Sequence, residues 1–276
     1  MKLPISLRAL AAVSVSLTAS LASAGTVLDK VVSAGVMTIA TDANWAPQSF
    51  VNENNEMDGF DVDVAKGIAE RMGLKAEFVT PGWDIITAGN WQGRWDMHVG
   101  SMTPTSARAE KFDFPAIYYY TPAAVAVHSD STASALSELE GKTVGATTAS
   151  TFEAYANHDL VLDAAGAPAF TYAFTPGEVK SYANSSTAFD DLRLGNGVRL
   201  DAVVSSLPAI LEAQAAHYPI RQLGDPIFFE PLAVATELGD AEFSAKIAQA
   251  VAEMKADGTL SQLSEKWYGV DYTKAE

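Results

Sequence analysis

Gly100-Ser101-Met102-Thr103-Pro104-Thr105-Ser106-Ala107-Arg108 follows a short apolar run, residues 97–100, with the composition of a buried strand. The segment places small hydroxyls and backbone N–H groups just past the strand's C-terminal end, and then presents an arginine. In open α/β sheets, ligands bind in the crevice beyond such strand ends. A guanidinium offers a planar, bidentate donor pair to a carboxylate. Ser101, Thr103 and nearby N–H groups would complete that anion's hydrogen bonds.

Working outward, strand and helix patterns alternate along most of the chain, which predicts an α/β fold. Val36–Ala40 reads as a strand entering the loop of residues 41–47. Residues 59–73 read as a helix: Val64, Ile68 and Met72 recur every fourth position, Lys66, Glu70 and Arg71 face outward, Asp61 or Asp63 can cap its start, and Gly73 can end it. Residues 76–79 form the next strand, and a short helix follows Asp84. After Tyr120 the alternation begins again, with strands at residues 143–146 and 200–204. Helices are expected from Thr151, over residues 188–194 and from about Leu207. Residues 241–268 are helical with a break at Gly258. Two α/β units separated near Tyr120 and again near Pro231 imply a first lobe (25–120 and 232–276) interrupted by a second (121–231). No fixed-period repeat points to a solenoid.

The N-terminus carries Lys2 and Arg8, an apolar run over residues 9–21, and the small residues Ala22-Ser23-Ala24. This order predicts a cleavable export signal, residues 1–24; the run falls short of the roughly 20 residues that span a bilayer. There is no cysteine, which excludes disulfides, thiolate metal sites, a cysteine nucleophile and a lipidated N-terminal cysteine. An exported chain with neither staple nor anchor suits a Gram-negative periplasm. Without residues 1–24 the chain has 16 basic and 34 acidic residues, a net −18. Such a surface repels nucleic acid and anionic membranes.

His98, His128, His158 and His217 form no zinc-binding pattern, and no phosphate-binding loop, dinucleotide fingerprint or nucleophile elbow is present. No metal or cofactor is expected. Tyr118-Tyr119-Tyr120 is read as wall and hinge packing.

Several segments in order resemble the family 3 bacterial extracellular solute-binding proteins, the periplasmic amino-acid receptors of ABC importers. These are Asp42-Ala43-Asn44-Trp45-Ala46-Pro47, Gly59-Phe60-Asp61-Val62-Asp63-Val64-Ala65, Trp83-Asp84, Gly93-Arg94-Trp95-Asp96 and Thr105 to Arg108. Later come Gly141-Lys142-Thr143-Val144-Gly145, Leu200-Asp201-Ala202-Val203, and the ending that runs from Met254 to Gly269. The resemblance implies a type II periplasmic-binding-protein fold, two lobes joined by two crossover strands. It implies a monomer that closes on a small carboxylate-bearing solute and delivers it to a membrane permease. Residue by residue it makes Arg108 the carboxylate clamp, helped by Ser101, Thr103 and Thr151. Trp45 and Trp83 fall at the positions that sandwich the ligand's side chain, with Asp42 beside them; Trp91 and Trp95 fall at core positions.

One position departs from the pattern. Ser206 stands where the family usually has the Asp that pairs with the ligand's α-ammonium, and a hydroxyl carries no charge. A buried ammonium without a counter-charge costs several kcal/mol. Either another acid takes over, with Asp42 nearest and Glu153 and Glu178 further off, or the ligand is not an ordinary α-amino acid. Betaines, guanidino compounds and keto acids stay open. So do a dehydratase of the cyclohexadienyl type on the same fold and a ligand-sensing domain.

Overall fold

The structure is a computed structural model that describes residues 26–163 and 167–274; the proposed export signal lies outside the described residues. In chain order the first part comprises α1 (Val27–Ala34), β1 (Val36–Ala40), β2 (Asn44–Trp45), β3 (Ser49–Val51), β4 (Met57–Asp58), α2 (Phe60–Arg71), β5 (Lys75–Val79), α3 (Trp83–Ala88), β6 (Met97–Met102) and α4 (Ser106–Ala109). The long strand β7 (Phe112–His128) leads to β8 (Thr143–Thr147), α5 (Thr151–Ala156), β9 (Glu178–Tyr182), α6 (Ser185–Leu192), β10 (Ala202–Ser206) and α7 (Leu207–Ala215). A second long strand, β11 (Ile220–Glu237), returns to α8 (Ala241–Ala256) and α9 (Thr259–Tyr268).

Among the described residues eight strands form one sheet in the order β5-β1-β6-β11-β7-β10-β8-β9. Its two outer parts are parallel, as βαβ connections require, and the long β7 and β11 run antiparallel between them. The early half of β7 pairs with the late half of β11, through Ala116↔Val234 and Tyr119↔Leu232. The other halves pair through Val125↔Leu223 and Val127↔Arg221. β6 joins β11 on one side, and β10 joins β7 on the other. The fold is thus two α/β lobes sharing two crossover strands.

Each lobe has its own cores. In the first, Phe60, Val64 and Ile68 of α2 pack with Met37, Tyr118, Tyr119, Phe243 and Ile247, and a smaller cluster gathers Trp91, Trp95 and Phe112. In the second, one cluster holds Val125, Val144, Phe152, Tyr155 and Phe228, and another holds Phe189, Leu192, Val203 and Ile210. Each fully buried large side chain contributes about 1.5–3 kcal/mol over its exposed state. No helix among the described residues is long and apolar enough to cross a membrane.

Capping at α2 differs from the sequence expectation. No side chain caps its start. Asp61 is wholly buried, and Asp63 instead accepts from Lys266 Nζ at 2.7 Å and Trp267 Nε1 at 2.8 Å. The preceding Gly59 has φ +123°, and a Cβ there would lie 2.4 Å from the Gln48 carbonyl oxygen. That close approach lets Phe60 and Asp61 N–H donate to the Pro47 and Gln48 carbonyls at 3.1 and 2.8 Å, fixing the loop that carries Asp42 and Trp45. Gly59→Ala is expected to lower stability by about 3 kcal/mol, through backbone strain and the clash; urea unfolding measures it.

Candidate functional site

A cavity opens where the two lobes face each other, beyond the C-terminal ends of β1, β6 and β8. From the first lobe it is lined by Asp42, Trp45, Trp83, Ile86, His98, Gly100, Ser101, Thr103 and Arg108. From the second it is lined by Thr147, Ser150, Thr151, Phe152, Asn184 and Ser185, and the crossover strand β11 adds Glu230. Seven of the eight residues singled out in the sequence therefore meet here; Ser206 does not line the cavity.

The end of β6 and the loop after it build the floor. At Gly100 a Cβ would come 2.5 Å from His98 Nε2, so any side chain there would displace the His98 ring. Ser101 adopts a left-handed backbone, φ +59°, uncommon for a side-chain-bearing residue. Its N–H donates to the Tyr118 hydroxyl at 2.9 Å, and its own hydroxyl donates to Asp61 Oδ2 at 2.8 Å and lies 2.5 Å from the Tyr119 hydroxyl. Tyr118 in turn donates to Asp61 Oδ1 at 2.7 Å. The Ser101 hydroxyl thus points into a buried network beneath the cavity. Burial pushes Asp61 up to about 7, against the lowering effect of the Tyr118 and Ser101 hydrogen bonds.

Thr105 caps the short α4, its hydroxyl accepting from Arg108 N–H at 3.3 Å. This turn aims Arg108 back across the cleft. Arg108 Nη1 donates to the Thr103 carbonyl at 3.0 Å and Nη2 to the Ala149 carbonyl of the other lobe at 3.1 Å. Its Cζ sits 5.4 Å from the Trp83 ring centroid, within cation–π range. Burial draws Arg108 down to about 10, so it stays a cation at neutral pH. His98, packed 5.7 Å from Trp83, is held down to about 3 by burial and then by Arg108, and is neutral.

Glu230 is the residue that sequence reading missed. It is buried, at 2% exposure, and its Oε2 accepts from Thr103 Oγ1 at 2.5 Å and from Thr151 Oγ1 at 2.8 Å. One partner belongs to each lobe. Burial raises its pKa, opposed by those two hydroxyls and by Arg108. A lone acid in the apolar run Ile227-Phe228-Phe229-Glu230-Pro231-Leu232 was the available signal, since buried charges need partners. Burial also raises the pKa of Asp42, against the Asn44 N–H that donates to its Oδ1 at 2.7 Å.

Ser206 is fully buried at the N-cap of α7, accepting from Ala209 N–H at 3.4 Å and from Gln48 Nε2 at 3.0 Å. The other acids considered for the ammonium also stand elsewhere. Glu153 accepts from Ala149 N–H at 2.7 Å and from the Ser181 hydroxyl, and Glu178 is exposed on β9. Further bonds hold the lobes together: Ser106 N–H donates to Asp163 Oδ1 at 2.9 Å and the Ser186 hydroxyl to the Asn44 carbonyl at 2.8 Å. Trp45 packs against both apolar clusters of the second lobe.

Two lobes on shared crossover strands, with a cavity between them that combines apolar walls and a few charged and hydroxyl groups and is fed by strand ends from both sides, define a receptor of the periplasmic-binding-protein kind. The chain belongs to the bacterial extracellular solute-binding proteins, family 3, whose model matches residues 37–270. It is 28% identical over 250 residues to the L-cystine-binding protein TcyJ of Escherichia coli K12, covering 90% of this chain and 88% of that protein. Among solved structures it resembles an ancestral arginine-binding protein bound to glutamine, with 33% identity and a TM-score of 0.73 over 85% of this chain and 98% of that one. It also resembles the ancestral amino-acid-binding protein AncCDT-1, a precursor of cyclohexadienyl dehydratase, with 28% identity and a TM-score of 0.74 over 88% of this chain and 100% of that one.

Proposed function

We propose that this chain is the periplasmic binding component of an ABC importer, and that it captures an amino acid by closing residues 25–120 and 232–276 against residues 121–231. The observation that carries the reading is the convergence, in one interlobe cavity, of Arg108 with the Thr103 and Thr151 hydroxyls and with Trp45, Trp83 and Asp42. The boundaries rest on the register Tyr120↔Pro231 at the middle of the crossover strands. Arg108 clamps the carboxylate with its planar donors. The Thr103 and Thr151 hydroxyls come from opposite lobes and both donate to Glu230 at the cavity wall, so a ligand seated there favours the closed form that a permease would read. Trp45 and Trp83 flank the ligand's side chain, and Asp42 faces any cation it carries. Ser101 supports this site through its backbone, its hydroxyl being engaged by Asp61. Relatives and neighbours named for cystine, arginine and glutamine support the amino-acid class.

The test is a thermal-shift screen on protein unfolded and refolded to strip bound solute, run with amino acids, guanidino compounds, betaines and keto acids. Stabilisation that grows with amino-acid concentration is expected; a flat response to every amino acid would sink the reading. A catalytic alternative has one observation behind it, the carboxyl of Glu230 buried in the cleft with its pKa raised. Incubation with prephenate or arogenate is expected to leave both unchanged, and release of phenylpyruvate or phenylalanine would reverse that outcome.

A further inference from the structure

We infer that Glu230 is the counter-charge for the ligand's α-ammonium, taking over from the crossover strand the role for which Ser206 has no charge. This rests on the amino-acid reading above and narrows it to ligands that carry a cation next to their carboxylate.

Glu230 is nearly sealed from solvent, yet among the described residues no Lys, Arg or His lies within ion-pair distance of it. Its hydrogen bonds from Thr103 and Thr151 both fall on Oε2, leaving Oε1 without a donor among the described residues, beside the cavity that Glu230 lines. A buried carboxylate with a free oxygen, on which Arg108 acts only from beyond ion-pair distance, is a costly arrangement unless a partner arrives from outside. Burial accordingly raises its pKa, and an incoming ammonium would favour the ionised form.

The charges of the cavity point the same way. Among the described residues Arg108 is its one cation, since His98 is neutral there, and Glu230 and Asp42 are its acids. A ligand carboxylate on Arg108 leaves Glu230 facing whatever is attached beside that carboxylate, because Thr103 holds both Arg108, through its carbonyl, and Glu230, through its hydroxyl. Ser206 is already committed to Gln48 and the α7 cap.

Position adds a mechanical consequence. Glu230 pairs with Thr121 at the middle of the crossover strands, and its carboxylate accepts from Thr103 of one lobe and Thr151 of the other. A cation seated on Oε1 would bind only where these two hydroxyls have come together, which ties ammonium recognition to closure.

The experiment is calorimetric titration of stripped protein with the twenty standard L-amino acids, L-ornithine and L-cystine. Each amino acid that binds is then compared with its 2-hydroxy acid, which keeps the carboxylate and side chain and replaces the ammonium. Wild type is expected to prefer the amino acid by about 100-fold. Glu230→Gln should lower amino-acid affinity by about 100-fold and change 2-hydroxy-acid affinity by less than about threefold. Equal wild-type affinity for the pair would overturn the inference while leaving a carboxylate receptor intact. So would a Glu230→Gln variant that binds the amino acid as wild type does, or one that loses both ligands alike, which marks a clasp between lobes. If wild type binds neither class, the amino-acid reading itself fails. The wild-type comparison needs no variant to fold, and Glu230→Asp, which keeps the charge on a shorter arm, is expected to recover part of the preference.

Discussion

Arg108→Ala is expected to abolish ligand-induced stabilisation of the stripped protein. Removing one partner of a desolvated, hydrogen-bonded charge pair typically costs about 2–5 kcal/mol of binding. A ligand present at about 100 times its Kd stabilises the native state by about 2.7 kcal/mol, which for a chain of this size is a rise of roughly 5–10 °C in melting temperature. The lost affinity is as large as that margin, so the rise should disappear. Arg108 is half-buried and its two protein partners are backbone carbonyls. The ligand-free melting temperature should therefore move far less than the ligand-dependent shift. Arg108→Lys keeps the charge and loses the fork, and should fall between the two. A variant that shifts as much as wild type with the same amino acid would remove Arg108 from the clamp.

How far the sequence carried this site depends on how local each signal is. The path from β6 to Arg108 is one short stretch of chain: a buried strand, small hydroxyls, a capped turn and a cation. Its geometry follows from nearest neighbours. α2 was legible in its apolar face for the same reason, since Val64 and Ile68 recur at the helical period and are fully buried. Asp61 was misread because a first-turn acid normally caps its own helix, whereas here it satisfies Ser101 and Tyr118, 40 and 57 residues away. Glu230 meets Thr151 and Thr103 across 79 and 127 residues, a separation that leaves no periodic trace. The full lengths of β7 and β11 were also hidden. They pair with each other along their whole course, β11 also with β6 of the first lobe and β7 with β10 of the second, so the two boundaries read near Tyr120 and Pro231 are the middles of strands and not their ends.

Asp61 also gives a steep dependence of stability on pH. Its carboxyl ordinarily titrates near 3.8 and is pushed up to about 7 in the fold, chiefly by burial. Between those values the folded protein holds a proton that the unfolded chain has released, so stability contributed by this group is present at low pH and lost as pH rises toward 7. The full separation corresponds to about 4 kcal/mol. His98 runs in the opposite sense: held down to about 3 from 6.5, it is neutral in the fold where the unfolded chain would be charged, and it costs stability as pH falls through that window. The two slopes overlap in wild type, so a wild-type profile alone would mix them. Asp61→Asn separates them, because the amide keeps an acceptor for the Tyr118 hydroxyl, turns its N–H toward a Ser101 hydroxyl that can accept, and has no proton to lose. Unfolding free energies of both proteins from pH 4 to pH 8 should show Asp61→Asn gaining on wild type by about 4 kcal/mol, with most of the change between pH 5 and pH 7. A constant difference across that range would mean that Asp61 stays in one protonation state. The network under the cavity floor would then be held by a permanently charged or permanently neutral carboxyl, with Ser101 kept in its left-handed conformation at every pH.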